Sequence, residues 1–326
     1  MKKSIIGVLC GGFSSEKEIS FKSGLNVLNN LSEKLWVSYL IKFNNNKWYV
    51  EDKEERKYTF FINDFSFNKN DLKIKFDIIF NAIHGAPGEN GQIISFLELI
   101  NIPYTGSNSY SSSLTFNKRD CLSILKNYGI NSSKNYYLDQ DQKINEDEII
   151  KSVGLPCFVK ANRSGSSFGV YKVYEKNGLV GAIEKSFKED SQIIVESFLE
   201  GTEVSVGVVK INNEICVLPI TEIISENDFF DFSAKYEGKS KEITPAKISN
   251  VWKNDLNEIS KKIYSKLGLK GIVRSEFIFV DNVPHILEIN SVPGMTKQSI
   301  IPQQVSALGM EFSEFLTQIL IQTEHS

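Results

Sequence analysis

The sequence is poor in the residues that build covalent or soft-metal frameworks. Its four cysteines, Cys10, Cys121, Cys157 and Cys216, stand singly with no Cys-x-x-Cys pair. That excludes a disulfide scaffold or a thiolate zinc cluster and predicts reduced thiols in apolar surroundings. Only three histidines occur, His84, His285 and His325, and none falls at a zinc-ligand spacing. An excess of one charge is missing too: 37 basic against 40 acidic residues leave a formal charge of -3. Such a chain has no global field to draw in a nucleic-acid backbone or an anionic membrane. Any anion it binds must be gripped locally. No apolar run approaches the ~20 residues that span a bilayer. The opening MKKSIIGVLCGG sets lysines before an apolar stretch, but the stretch is short and runs into Glu16-Lys17-Glu18. It reads as a first buried strand rather than an export signal. The expectation is a cytoplasmic protein that partners neither nucleic acid nor membrane.

What is present is ordinary globular material, 41% hydrophobic and 24% charged over 326 residues. That length exceeds what one core supports, so two or three domains are expected. Segments 4–9 and 36–43 read as strands around a helix at 16–31, followed by the strand FDIIFNAI, a Gly-rich loop, the helix GQIISFLELI and the short strand IPYT. This alternation predicts a parallel α/β sheet with crossover helices. Its ligand groups should lie in loops after the strand ends, here 11–16 and 84–91. The Ser-rich stretch from Gly106 marks a boundary, giving an N-terminal α/β domain over 1–106. Beyond it an α+β unit over 107–196 carries PCFVKA, the loop NRSGSSFG, VYKV and IIVESFL. A last unit over 197–326 carries EVSVGVVK, EICVLPI, a polar aromatic loop at 225–244, a helix at 254–267, the strand pair IVRSEFIFV and HILEIN, and a final helix.

Three constellations carry chemistry. In the loop at 162–169, small residues after Lys160 let successive N–H groups turn toward one anion, which suits a phosphate; an ordinary Gly/Ser hairpin turn explains the same residues equally well. It lacks the Gly-Lys-Ser/Thr ending of a Walker loop. The second constellation is Arg274, Glu276, Glu288 and Asn290. Side chains two apart share a strand face, so Arg274 goes with Glu276 and Glu288 with Asn290, while Val273, Phe277, Leu287 and Ile289 point to a core. If the hairpin through 281–284 sets Glu276 opposite Glu288, two carboxylates and an amide oxygen converge. Facing acids repel unless a cation lies between them, so an oxygen-ligated Mg²⁺ is favoured over a solvated sheet face. Gly294, in the turn that follows, is able to bring an N–H to a reacting oxygen. In the third, acidic Glu196 and Glu203 flank a strand end where a hinge with solvated carboxylates is the simpler account. Lys118 on a helix face and Glu16 near a helix N-terminus also have plain structural explanations.

In order along the chain run GGFSSEKEIS, AIHGAPGENG, SSLTFNK, VKANRSGSSFG, VESFLEGTE, FFDFSAKY, GIVRSEF and LEINSVPGMTKQSIIPQQ. This series, from Gly11 to Gln304, resembles the D-alanine:D-alanine ligases of the ATP-grasp superfamily over nearly the whole chain. The resemblance implies an ATP-grasp fold behind an N-terminal α/β domain. It also implies ATP-driven joining of two D-alanine molecules through an acyl phosphate for peptidoglycan precursors, with two Mg²⁺ for which Mn²⁺ can substitute, and a homodimer.

Matched motif by motif, Lys118 and Lys160 would contact the ATP phosphates, under a loop holding Ser166 and Ser167. Glu196 and Leu199 would hold adenine and Glu203 the ribose, with Glu276, Glu288 and Asn290 as magnesium ligands. Glu16 would grip the first ammonium, helped by Ser166 and Tyr236, with His84 in the first-substrate loop. Lys235 and Ser299 would hold the second carboxylate, and Arg274 with the Gly294 N–H the oxyanion. Water must be kept from an acyl phosphate, so the 225–244 loop and the phosphate loop at 162–169 are expected to close over it. The chain departs from the usual pattern at Glu276, where aspartate is commoner, at Ala161 in place of a proline, and at Asn90 in place of an acid. Two alternatives remain, a relative using D-lactate or D-serine as second substrate and an inactive nucleotide-binding regulator. Tyr236 speaks against lactate, because the lactate-using relatives carry histidine in that segment. The intact Arg274, Glu276, Glu288 and Asn290 set speaks against the regulator.

Overall fold

The computed structural model describes residues 3–44, 46–225 and 240–324. Near the N-terminus the apolar run forms β1 (Ser4–Gly11), buried over its last six residues. Helix α1 (Lys17–Asn30) returns across it with a face of small and branched residues: Ser20, Ser23, Gly24, Val27 and Leu28 are buried. Gly24 is what allows the close approach, since a Cβ there would meet Cys10 Cβ at 2.6 Å. Strands β2 (Trp36–Asn44) and, later, β7 (Ile78–Asn81) flank β1 in parallel, with Ser4 beside Trp36 and Ile6 beside Ile78.

The expected parallel sheet extends no further. Between β2 and β7, strands β3 (Lys47–Glu51), β4 (Lys57–Phe61), β5 (Ser66–Lys69) and β6 (Leu72–Lys75) form an antiparallel meander, giving the order β6-β5-β4-β3-β2-β1-β7. The reason lies in the connections. Asn70 and Asp71, both at positive φ, turn β5 into β6 in two residues. A parallel crossover needs a dozen or more. IPYT contributes only a single bridge, Tyr104 to Ile79.

After β7 come α2 (Gln92–Leu99), α3 (Ser109–Phe116) and α4 (Lys118–Asn127). The Ser-rich stretch, read from sequence only as a boundary, forms the helix α3, which Asn108 caps by accepting from Ser111 N. A second sheet follows: β8 (Asn135–Asp139), α5 (Glu146–Val153), β9 (Cys157–Ala161), β10 (Val170–Val173), α6 (Leu179–Ser186) and β11 (Gln192–Ser197), with strand order β10-β9-β11-β8. Its two helices pack on one face through Ile149, Val159, Ile183 and Val195. The other face, carrying Phe158, Lys160 and Glu196, stays available for a ligand.

The third sheet holds β12 (Thr202–Ile211), β13 (Glu214–Val217), β14 (Thr221–Ser225), β15 (Ser240–Ile243), β16 (Ile272–Val280) and β17 (Val283–Asn290), backed by α7 (Asn250–Lys266). The β16–β17 turn is two residues, Asp281 and Asn282, both at positive φ. It is shorter than the four-residue segment the sequence suggested, and it starts β17 at Val283. The chain closes with two helices, α8 (Ile300–Ala307) and α9 (Phe312–Glu324). Leu316 and Leu320 of α9 share one core with Val8 of β1, Phe80 of β7 and Val209 of β12. That shared core turns the loops after β1 and β7 toward the end of β17. The four cysteines are free, with Cys10, Cys121 and Cys157 buried and Cys216 only partly so. No described helix is long and apolar enough to cross a membrane.

Candidate active site

Glu276 of β16 lies opposite Glu288 of β17, and Arg274 lies opposite Asn290. Just past this pair the register slips, so that Phe277 faces Ile286 and Leu287 is the additional residue. The bulge corrects the expectation that Leu287 enters the core. Ile286 takes that place, fully buried, and Leu287 turns to line a cavity. A strict period of two cannot foresee an inserted residue. Glu276 Oε1 accepts from Arg274 Nε at 2.5 Å, whereas its Oε2 is buried without a hydrogen-bond partner. Glu288 Oε2 lies 3.4 Å from Lys118 Nζ. No three His, Cys, Asp or Glu side chains cluster as metal ligands among the described residues. The donor set here is two carboxylates and one amide. The unpartnered Glu276 oxygen and the facing acids fit a hard cation that shares its shell with phosphate oxygens.

On one side of this pair opens a cavity of about 460 Å³. Lys118 stands in the first turn of α4, where the helix dipole disfavours a cation. It is held there by donating to Ser164 O at 2.6 Å. Asn162, 1% exposed, ties the loop to that helix: its Oδ1 accepts from Arg119 N, and its Nδ2 donates to Asn117 Oδ1. Lys160 and Glu196 form an ion pair at 2.6 Å, and Ser133 Oγ occupies the other Glu196 oxygen at 2.8 Å. Burial pushes the Lys160 ammonium down in pKa, but Glu196 outweighs this, with Glu288 and Glu203 adding, so the net shift is upward. Lys160 therefore stays charged over the physiological range. Phe158 and Phe198, 6.1 Å apart, give the cavity an aromatic wall, and Ser167, Leu199 and Glu203 also line it.

A smaller cavity of about 80 Å³ adjoins on the other side. Glu288 lines both. Glu16 enters from the loop after β1; its Oε1 accepts from Ser166 Oγ at 2.6 Å, and its buried Oε2 has no partner. Gly165 makes room, since a Cβ there would stand 2.4 Å from Glu16 Oε2. The loop after β7 grips the main chain beyond β17. His84 Nδ1 donates to Val292 O at 2.8 Å, and Glu89 Oε1 accepts from Val292 N at 3.2 Å. A carbonyl only accepts, so Nδ1 carries the proton and Nε2 accepts from Ser23 Oγ at 3.0 Å. Ser23 in turn accepts from Met295 N. Burial pushes the His84 imidazole down, Arg274 acting with it and Glu16 and Val292 O against, so the ring is neutral. Gly294 and Ser299 complete this wall. Ser299 Oγ accepts from Thr296 N, and a Cβ at Gly294 would meet it at 2.8 Å.

Residues 124–321 match the family described as D-ala D-ala ligase C-terminus, and residues 5–107 the one described as D-ala D-ala ligase N-terminus. A D-alanine--D-alanine ligase of Flavobacterium johnsoniae is 51% identical over 312 residues, 96% of this chain and 97% of that protein. The chain belongs to the D-alanine--D-alanine ligase family. It is an ATP-dependent, ADP-forming ligase with the ATP-grasp fold of that family. D-alanyl-alanine synthetase A of Vibrio cholerae superposes with a TM-score of 0.88 at 28% identity, covering 100% of both chains. A D-Ala:D-Ser ligase, VanG of Enterococcus faecalis, superposes with 0.85 at 28% identity, over 99% of this chain and 100% of that one.

In this ligase the sequence-derived candidates divide between the two cavities. Lys118, Lys160, Ser167, Glu196, Leu199, Glu203 and Glu276 line the larger, Glu16, His84, Ser166, Arg274, Asn290, Gly294 and Ser299 the smaller, and Glu288 both. Lys235 and Tyr236 lie outside the described residues. Reasoning from sequence missed Glu89, although it sits five residues after His84 in a quoted motif. It also missed Ser133, Asn162, Phe158 and Phe198, whose roles arise only when distant strands meet. Glu242, which lines the smaller cavity, left no sequence signal beyond an acid in a polar loop.

Proposed function

We propose that the chain performs D-alanyl-D-alanine synthesis with the larger cavity holding ATP and the smaller the two amino acids. The observation that carries this assignment is Glu288, whose side chain borders both spaces where a γ-phosphate must meet the first substrate's carboxylate. Adenine packs near Phe158 and Phe198 against 196–199, with Glu203 at the ribose and Lys118, Lys160 and the 162–169 loop at the phosphates. Glu196, already bonded to Lys160 and Ser133, acts on the nucleotide chiefly by aiming Lys160. Glu16 takes the first ammonium on its unpartnered Oε2, with Ser166 bonded to it and Tyr236 assigned as a companion by the family motif alone. The carboxylate of that D-alanine attacks the γ-phosphorus, forming an acyl phosphate and releasing ADP. Glu276, Glu288 and Asn290 would hold two Mg²⁺, or Mn²⁺ in their place, which supply charge neutralisation on the transferring phosphoryl group.

The second amine, deprotonated, attacks the acyl carbonyl; a C–N bond forms and the C–O bond to phosphate breaks with its electron pair leaving on phosphate. Arg274 and the Gly294 N–H face the oxyanion, while Lys235 and Ser299 hold the second carboxylate. The phosphate loop, already bonded to Glu16 through Ser166, keeps water from the acyl phosphate.

The same reading places the protein in the cytoplasm, supplying peptidoglycan precursors, as a homodimer of three domains over 1–106, 107–196 and 197–326. Free, largely buried thiols support the compartment, and sedimentation velocity tests the dimer.

Phosphate release from ATP with D-alanine, D-lactate and D-serine offered in turn, with product detection, tests the reaction. D-alanine-dependent release with dipeptide formation is expected. Absence of D-alanine-dependent turnover would sink the reading, and depsipeptide at neutral pH would replace it by the D-lactate alternative.

A further inference from the structure

Among the described residues the smaller cavity is lined by four glutamates, Glu16, Glu89, Glu242 and Glu288, against one guanidinium, Arg274. Three of the four are accounted for. Glu16 is bonded to Ser166, Glu89 accepts the Gly85 and Val292 N–H groups, and Glu288 is paired with Lys118. Glu242 is not. It stands on β15 beside Ile223, which pairs with Glu203, which pairs with Ile278, so it shares the ligand face of the third sheet. Its Oε2 accepts from Gln303 Nε2 at 2.5 Å, and the same amide nitrogen donates to Gln298 O at 2.8 Å. The carboxylate is thus aimed by an uncharged group on α8. Its Oε1 has no hydrogen-bond partner, and the residue no ion pair, among the described residues.

A partly buried carboxylate with no ion pair among the described residues is a receptor for a cation. Burial, the largest influence, pushes the Glu242 carboxyl up, with Arg274 pulling it down and Glu276 raising it. Two amino-acid substrates bring two ammonium groups into this cavity, and Glu16 serves only one. Resting on the ligase reading above, we propose that Glu242 binds the ammonium group of the second substrate through Oε1, oriented by Gln303, and so selects an amino acid over a hydroxy acid as acceptor.

The test uses the full chain and the substitutions Glu242→Gln, Glu242→Asp and Gln303→Met. Two readouts separate the half-reactions. Hydroxylamine converts the acyl phosphate to a hydroxamate and reports the first step, while dipeptide and depsipeptide formation report the second with D-alanine or D-lactate. For Glu242→Gln the KM of the second D-alanine should rise about 10- to 100-fold, the loss of a charge-assisted hydrogen bond. Hydroxamate formation should persist, and the ratio of D-lactate to D-alanine use should rise by a similar factor. Glu242→Asp should recover part of the loss, and Gln303→Met, which keeps the charge, should raise the same KM severalfold. These two variants carry the test if Glu242→Gln fails to fold. An unchanged second KM, or an equal loss with D-alanine and D-lactate, would overturn the assignment. Wild-type protein yielding neither hydroxamate nor dipeptide would overturn the ligase reading itself, a distinguishable failure.

Discussion

Ser166 Oγ donates to Glu16 Oε1 at 2.6 Å, joining positions 150 residues apart in the chain. The bond ties the 162–169 loop to the loop after β1, so in the proposed function nucleotide closure and first-substrate binding would share one contact. Ser166→Ala removes it and leaves both Glu16 oxygens without a donor among the described residues. The KM of the first D-alanine should rise about tenfold, the usual worth of a hydrogen bond to a charged group. The KM of ATP should rise as well, though less, because the loop over the phosphates loses the same contact. Biphasic D-alanine saturation curves resolve the two amino-acid constants and check this.

Gly165 is required for space. A methyl group there would stand 2.4 Å from Glu16 Oε2 and 2.8 Å from its Cδ. Gly165→Ala must displace the carboxylate or the loop, and a misplacement of that size at a reacting site costs about 100-fold. The residue lies in a loop, so the melting temperature should hardly move. Comparable loss of activity and of stability would contradict this account.

Lys160 and Glu196 form a pair in which the acid is 2% exposed. Lys160→Met strands that acid and should destabilise the fold by about 3–5 kcal/mol, whereas the double substitution with Glu196→Leu should recover most of it. Neither variant should bind ATP well. Urea unfolding alongside nucleotide titration separates the two effects.

Glu89 gives the fold a pH dependence. Burial, then Glu16, raise its carboxyl, the Gly85 and Val292 N–H groups oppose them, and Glu288 adds, leaving it at about 8 against an ordinary 4.5. With the folded value raised, the group's stability contribution is complete below about 4.5 and is lost as pH climbs through about 8. The urea midpoint of substrate-free protein should fall across that window. Glu89→Gln should flatten the slope and lower the acid-side midpoint, since an amide accepts only one of the two N–H groups. An unchanged slope would show that Glu89 ionises freely.

Several features were legible from local chemistry. The period-two pattern of Arg274 and Glu276 against Glu288 and Asn290 located the carboxylate pair, because alternation along a strand is local. The buried first strand and the helix behind it were legible in the same way. The antiparallel meander over 47–75 was not, although its turn at Asn70 and Asp71 is a short-range signal that a search for Asn and Asp pairs would find.

The sequence by itself determined the family, through an ordered series of motifs, and the side chains available for chemistry. Tertiary structure decided which groups act together. The bulge that frees Leu287 arises from pairing between strands, and the clasp of Val292 by His84 and Glu89 spans more than 200 positions. Glu242 gains meaning only when α8 brings Gln303 against it, 61 positions later. Such contacts follow from packing of the shared core between α9 and the first sheet. No local pattern encodes them, because their partners are neighbours in space alone.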